Sequence, residues 1–256
     1  MTAPAMVPAA LILAGSRQGA QDPVALAEGV PHKALAEVAG APLLARVHAA
    51  LRAAGVERIA VAADTPEVVA LAQALGAETV PPASGPSGSV ARGFALLGAP
   101  MLVTTADHAL LEPEWVRQFV ADSPPDGDVA VLLARRDAVE RAVPETRRTW
   151  LRFADGQWSG CNLFLLATPA AEAAIATWRE VEANRKRPWR IAARLGPRVL
   201  WDYLRGRLTL AGAVARLGAR IGIRANVVAA ADGLAAVDVD KVSDLALVRA
   251  VAAGRA

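Results

Sequence analysis

The sequence predicts an α/β protein in which a mostly parallel, mixed sheet is sandwiched between helices. Three observations carry that expectation. Short unbroken apolar runs recur, beginning with Ala9-Ala10-Leu11-Ile12-Leu13-Ala14, and such runs mark strands buried on both faces. Between them lie stretches of helical spacing that stop at glycine, as at Gly55 and Gly76, where a left-handed residue ends a helix without strain. Alternation of the two implies right-handed crossovers, which lay helices over both faces of a parallel sheet.

The elements follow in order. The first run ends at Gly15, and a polar, Gly-containing loop extends to Gly29. Leu43, Leu44, Val47 and Leu51 share one helical face over 43–54. A second strand is predicted at 58–63, a helix at 66–75 and a third strand at 78–80. A Pro/Ser/Gly loop spans 81–88, before a helix at 89–97. Strand 101–105 runs toward Asp107, helix 113–120 opens on Pro113, and strand 128–134 follows. Beyond it, strands at 149–153 and 160–166 flank the turn Asp155-Gly156. Helices are expected at 170–183, 191–204 and 210–217, then a strand at 221–228 and a last helix at 243–252. No repeat or long linker interrupts the chain. One domain over 1–256 is expected, with 135–220 as an inserted, partly helical region.

Composition limits the function classes. With 256 residues, 54% hydrophobic and 21% charged, the chain has material for a large core and is not disordered. A net charge of +3 suits small anionic metabolites and is too weak to argue for nucleic acid, so no nucleic-acid partner is expected. Cys161 is the sole cysteine, which excludes an intrachain disulfide and a Cys-rich zinc site. The short apolar start has no basic residue before it, and no apolar run approaches the roughly 18 residues of a membrane span. A soluble, cytoplasmic protein is the expectation.

In open parallel sheets, ligands sit beyond the carboxyl ends of the strands. That rule groups Gly15, the loop after Val80 and Asp107 into one neighbourhood. Leu13-Ala14-Gly15-Ser16-Arg17, followed by Pro31-His32-Lys33, places small residues where backbone N–H groups approach phosphate closely, with Arg17 and Lys33 to neutralise its charge. An ordinary loop with solvated basic residues is the competing reading. Asp107, at the end of an apolar strand, is a cation or hydroxyl ligand, or else a helix N-cap. In Asp238-Val239-Asp240, strand alternation would put both carboxylates on one face. Asp244 is read as compensating the dipole of the last helix. Two carboxylates facing a basic phosphate loop make a plausible Mg²⁺ site.

These motifs resemble the nucleotidyltransferase superfamily, the MobA-like NTP transferases and the sugar- or polyol-phosphate cytidylyltransferases. The family signature is a strand, then L-A-G-G-x-G-x-R, then P-K. This chain departs from it with Ser16 for a glycine and a longer stretch before Lys33. Asp107-His108-Ala109-Leu110-Leu111 is similar to the family's D-x-P-L-L, and Asp238 to Leu245 to its D-I-D-T-P-E-D-L. Cys161-Asn162-Leu163-Phe164 resembles a strand carrying an acceptor-binding asparagine.

The resemblance implies a Rossmann-like nucleotide-diphospho-sugar transferase fold. It also implies transfer of a nucleotidyl group from an NTP to a small phosphorylated acceptor, with loss of pyrophosphate. Arg17 and Lys33 would be catalytic, and Leu13, Ala14, Gly15 and Ser16 would hold the nucleotide. Mg²⁺ would bind Asp107 and Asp240, with Asp238 as substitute. Ser87-Gly88-Ser89 opens an S-V-x-x-G segment similar to the cytosine-lining helix of cytidylyltransferases, so CTP is favoured over GTP. A plain N-cap at Ser87 or Ser89 is the alternative. Asn162, Arg147 and Arg148 are expected to bind the anionic acceptor. The basic segment Arg185-Lys186-Arg187-Pro188-Trp189-Arg190, with Trp201 and Tyr203 nearby, admits a peripheral membrane contact or a plain basic loop. A glycosyltransferase and a non-catalytic nucleotide sensor on the same fold are the rival readings.

Overall fold

Strand β1 (Ala9–Leu13) lies in the interior of the main sheet in the computed structural model, which describes residues 9–15, 21–144, 148–183 and 196–254. The short strands β2 (Glu37–Val38) and β3 (Ala41–Pro42) form a separate antiparallel ribbon. The main sheet adds β4 (Arg58–Ala62), β5 (Glu78–Val80), β6 (Met101–Thr105), β7 (Val129–Arg135), β8 (Leu151–Phe153), β9 (Gly156–Leu166) and β10 (Ala225–Ala229). Its order is β10-β7-β9-β6-β1-β4-β5, with β8 paired to β9. β9 runs antiparallel to both neighbours, whereas β4, β5 and β6 follow β1 in parallel. The mixed, mostly parallel sheet matches the sequence expectation.

Why β1 is apolar throughout is plain from its two faces. Ala10, Ile12 and Ala14 join the core cluster with Leu44, Val47 and Leu51 of α2 (Leu43–Ala53), whereas Leu11 points the other way. There it meets Val90 and Phe94 of α4 (Pro86–Leu97). A Cβ on Gly93 would lie 2.5 Å from Leu11 Cδ2, so glycine is what lets α4 lie close to the sheet. The remaining helices are α1 (Pro23–Glu28), α3 (Pro66–Ala74), α5 (Pro113–Asp122), α6 (Arg136–Ala142), α7 (Glu172–Ala183), α8 (Pro197–Leu204), α9 (Leu210–Arg220) and α10 (Val242–Gly254).

Three expectations are corrected. Helix α4 starts at Pro86 with Gly85 as its N-cap residue, so neither Ser87 nor Ser89 caps it. Proline in the first turn pre-sets the helical φ, which moves the start upstream of the serines. Asp107 caps no helix, because the next one begins at Pro113 after Glu112. Residues 237–240 form no strand: they follow a 3₁₀ turn at Gly233–Ala236. The expected alternation still appears in burial, with Val237 and Val239 inside. Ser16, Arg17, Arg147 and the segment 185–190, singled out from the sequence, lie outside the described residues.

Candidate active site

The parallel strands end on one edge of the sheet, and a cleft of about 820 Å³ opens there. Leu13, Ala14 and Gly15 form its floor, Pro82–Pro86 one wall, and Thr104–Asp107, Asn162 and Asp240 the other. Gly15 is small for a spatial reason: a Cβ there would stand 3.2 Å from Pro82 Cβ, where the 81–85 loop crosses over. The three positions grouped from sequence thus share one cavity.

Lys33 sits at the focus of the acidic wall. His32 caps the 3₁₀ turn Lys33–Leu35, its Nδ1 accepting the Ala34 N–H at 3.0 Å. Burial and the charge on Lys33 hold His32 below the usual imidazole range, so the ring is neutral at pH 7 and free to accept. Lys33 Nζ then donates to Asp107 Oδ2 at 2.6 Å, Asp240 Oδ1 at 3.2 Å and the Val239 carbonyl at 3.1 Å. Burial works against its charge, but Asp107 and Asp240 outweigh burial and raise its pKa above the ordinary lysine value. The segment bearing Asp240 is tied to the strand end, because Val239 N–H donates to the Asp107 carbonyl at 3.0 Å. Asp244 accepts the N–H groups of Asp240 and Lys241, at 3.2 and 3.0 Å, and so fixes the entry into α10.

Asp238 has a different environment. Its carboxylate is paired with Arg148 and accepts from Asn162 Nδ2 at 2.8 Å. Burial raises its pKa despite Arg148. Asn162 reaches inward from a bulge: Val131 pairs with Phe164 and Leu133 with Gly160, so β9 carries extra residues there. Its φ of 48° is left-handed, which asparagine tolerates better than most residues. Arg148 Nη1 is buried without a hydrogen-bond partner.

The third constellation is split. Ser89 Oγ accepts the Ala83 N–H at 2.9 Å and holds the 81–85 loop, with Ser89 on the cleft wall. Ser87 faces the opposite side, a second cavity of about 630 Å³ between α4 and α7 that Gly88 also lines. There Glu182 Oε2 accepts from Ser87 Oγ at 2.5 Å and from its N–H at 3.3 Å. Sequence reasoning missed Glu182, Asp22, Asp64 and Trp178. Asp64 had a legible signal, a carboxylate just past an apolar strand like Asp107. Glu182 had none, since its partner lies 95 residues away.

Among the described residues, no three His, Cys, Asp or Glu side chains gather into a metal cage, and no helix is long and apolar enough to cross a membrane.

Known proteins resemble this chain in sequence and fold. A hypothetical transferase structure from Thermus thermophilus is 32% identical, with a TM-score of 0.78, over 94% of this chain and 100% of that one. Two curated relatives are 3-deoxy-manno-octulosonate cytidylyltransferases. The one from Anaeromyxobacter is 36% identical over 100 residues, covering 37% of this chain. The one from Bradyrhizobium diazoefficiens is 47% identical over 51 residues, covering 20% of this chain. The matched stretches span 41% and 21% of those relatives' own lengths. The MobA-like NTP transferase domain matches residues 10–180, so the chain belongs to that family and with it to the nucleotidyltransferases.

Proposed function

We propose that this chain transfers a cytidylyl group from CTP to a small anionic acceptor and releases pyrophosphate. The observation that carries the reading is the meeting of Lys33, Asp107 and Asp240 at the open end of the sheet. In this reading Leu13, Ala14, Gly15 and Ser16 take the phosphates. Arg17 and Lys33 neutralise the triphosphate and the leaving pyrophosphate. The two cytidylyltransferase relatives support CTP over GTP. Ser89, on the cleft wall, suits the base, while Ser87 and Gly88 act through the position of α4.

The residues present fit Mg²⁺. Asp107 Oδ1 is buried with no hydrogen-bond partner, and Asp107 and Asp240 already converge on one positive charge. Asp238 does not fit, because Arg148 and Asn162 occupy its oxygens. A bound Mg²⁺ would neutralise charge on the phosphate oxygens and help to align them.

The chain's own residues position the reactants. An acceptor phosphate oxygen forms a bond to the α-phosphorus while the bond to the β-phosphate bridging oxygen breaks, in line. An ionised phosphate needs no general base, so orientation and charge neutralisation carry the rate. Asn162 and Arg148, with Arg147 beside it in sequence, are assigned to the acceptor. The buried, unpartnered Arg148 Nη1 supports that assignment.

A pyrophosphate-release screen tests the proposal. It crosses the four NTPs with phosphorylated polyols, sugar phosphates, phospho-acids and sugar acids, in Mg²⁺. CTP with one acceptor class should turn over. Asp107→Ala should abolish turnover and keep the circular dichroism of the folded chain. Silence across the panel despite measurable NTP binding would favour a nucleotide sensor instead.

A further inference from the structure

Helix α8 carries large apolar side chains where most helices carry polar ones. Leu204 is 71% exposed, Trp201 55%, Tyr203 47% and Leu200 40%. At about 100° per residue these four fall on one arc in the order Tyr203, Leu200, Leu204, Trp201. The aliphatic pair stands at the crest and an aromatic ring flanks it on each side. The inward side is accounted for. Val199 is buried, and Asp202 accepts from Arg216 of α9 at 2.5 Å. Tyr203 is held edge-on against Phe153 of β8, with ring centroids 5.9 Å apart.

The charge around this crest is predominantly positive. Between Gly196 and Arg224 the chain holds six arginines and a single aspartate; Arg216 pairs with that Asp202 and Arg224 with Asp126, whereas Arg205 and Arg207 follow the helix directly. Arg205 stacks on the Trp201 ring at 4.2 Å, and Arg207 is exposed just beyond it. We propose that α8 docks the protein on an anionic lipid bilayer, with Leu200 and Leu204 in the acyl boundary, Trp201 and Tyr203 at headgroup level, and Arg205 and Arg207 on lipid phosphates. Aliphatic crest, aromatic flanks and basic rim are the three parts of an interfacial helix. A second copy of the chain is a poorer occupant, because its arginines would face these arginines. Nucleic acid offers no counterpart for two leucines at the apex.

The test is co-sedimentation of the full chain with vesicles. One set is phosphatidylcholine alone, and the other contains about one third phosphatidylglycerol. Partition should be at least roughly tenfold higher on the anionic vesicles and should fall as salt rises toward about 0.5 M. Leu204→Glu and Trp201→Ala should each remove most of it, with unchanged melting and with pyrophosphate release from soluble substrates within about twofold of wild type. Equal partition on both vesicle types, or none, overturns the proposal. So does a dimer in solution that Leu204→Glu converts to monomer, which gives the face to a second copy. Tighter binding to duplex DNA than to anionic vesicles overturns it as well.

Discussion

Replacing Lys33 with alanine separates two effects of one ammonium. It lies 2.6 Å from Asp107 and 3.2 Å from Asp240, the carboxylates assigned above to Mg²⁺. A bound cation and this ammonium therefore repel each other. For charges of +1 and +2 about 4 Å apart, the cost is about 2 kcal/mol at the dielectric of water and about 8 kcal/mol at an effective dielectric near 20. The Asp240 side chain is 64% exposed but those of Lys33 and Asp107 only 19% and 13%, so the cost lies between the two figures and about 2 kcal/mol is its lower bound. About 2 kcal/mol is roughly thirtyfold in affinity. Titration calorimetry without nucleotide should accordingly show Lys33→Ala binding Mg²⁺ at least about thirtyfold more tightly than wild type. The same variant should lose about three orders of magnitude in pyrophosphate release, the order expected for one charge stabilising the transition state. Tighter metal with lost turnover is the combination to look for. Mg²⁺ binding that is unchanged or weaker would refute the idea that ammonium and metal share the two carboxylates.

Three other outcomes follow from single contacts. Arg148→Ala leaves the half-buried Asp238 with only Asn162 as partner and should cost about 2–3 kcal/mol in urea unfolding; adding Asp238→Ala should recover part of it, with a coupling of about 1–3 kcal/mol, and additivity of the two would dismiss the pair. Gly93→Ala puts a methyl group against Leu11 in the middle of the sheet and should destabilise by about 1–3 kcal/mol, visible as a lowered Tm. Burial pushes the Cys161 thiol up to about 12 from 9.0, so the native thiol is neutral and should react with a disulfide reagent only as the protein unfolds. The raised folded value also means that stability contributed by the neutral thiol is full below about pH 9 and is lost as pH climbs toward 12; melting curves at pH 8 and 10.5 would check the sign.

What was legible in the sequence is what local rules govern. β1 announced itself because burial on both faces demands an unbroken apolar run, and Asp107 because a carboxylate ends one. The start of α4 was also legible, since Pro86 after Gly85 is a first-turn proline; the nearby serine hydroxyls drew the boundary downstream. The acidic pair near the C-terminus shows where local rules stop. Alternation rightly kept Val237 and Val239 inside and left Asp238 and Asp240 out of the core. It also put the two carboxylates on one face, which holds only for a flat strand. Here the segment is pinned by the hydrogen bond from Val239 to Asp107. Asp238 therefore turns toward Asn162, 76 residues back along the chain, and Asp240 toward Lys33, 207 residues back. No periodicity encodes such separations. They are set by which strand lies next to which, and β9 enters the sheet antiparallel between β6 and β7, bringing its bulge and Asn162 to the cleft edge. Had β9 paired at the sheet's edge instead, Asp238 would lack the Asn162 amide and keep Arg148 alone of the two partners. In the proposed reading, this topology sets Asp238 beside the acceptor-side Asn162 and leaves Asp240 for the cation.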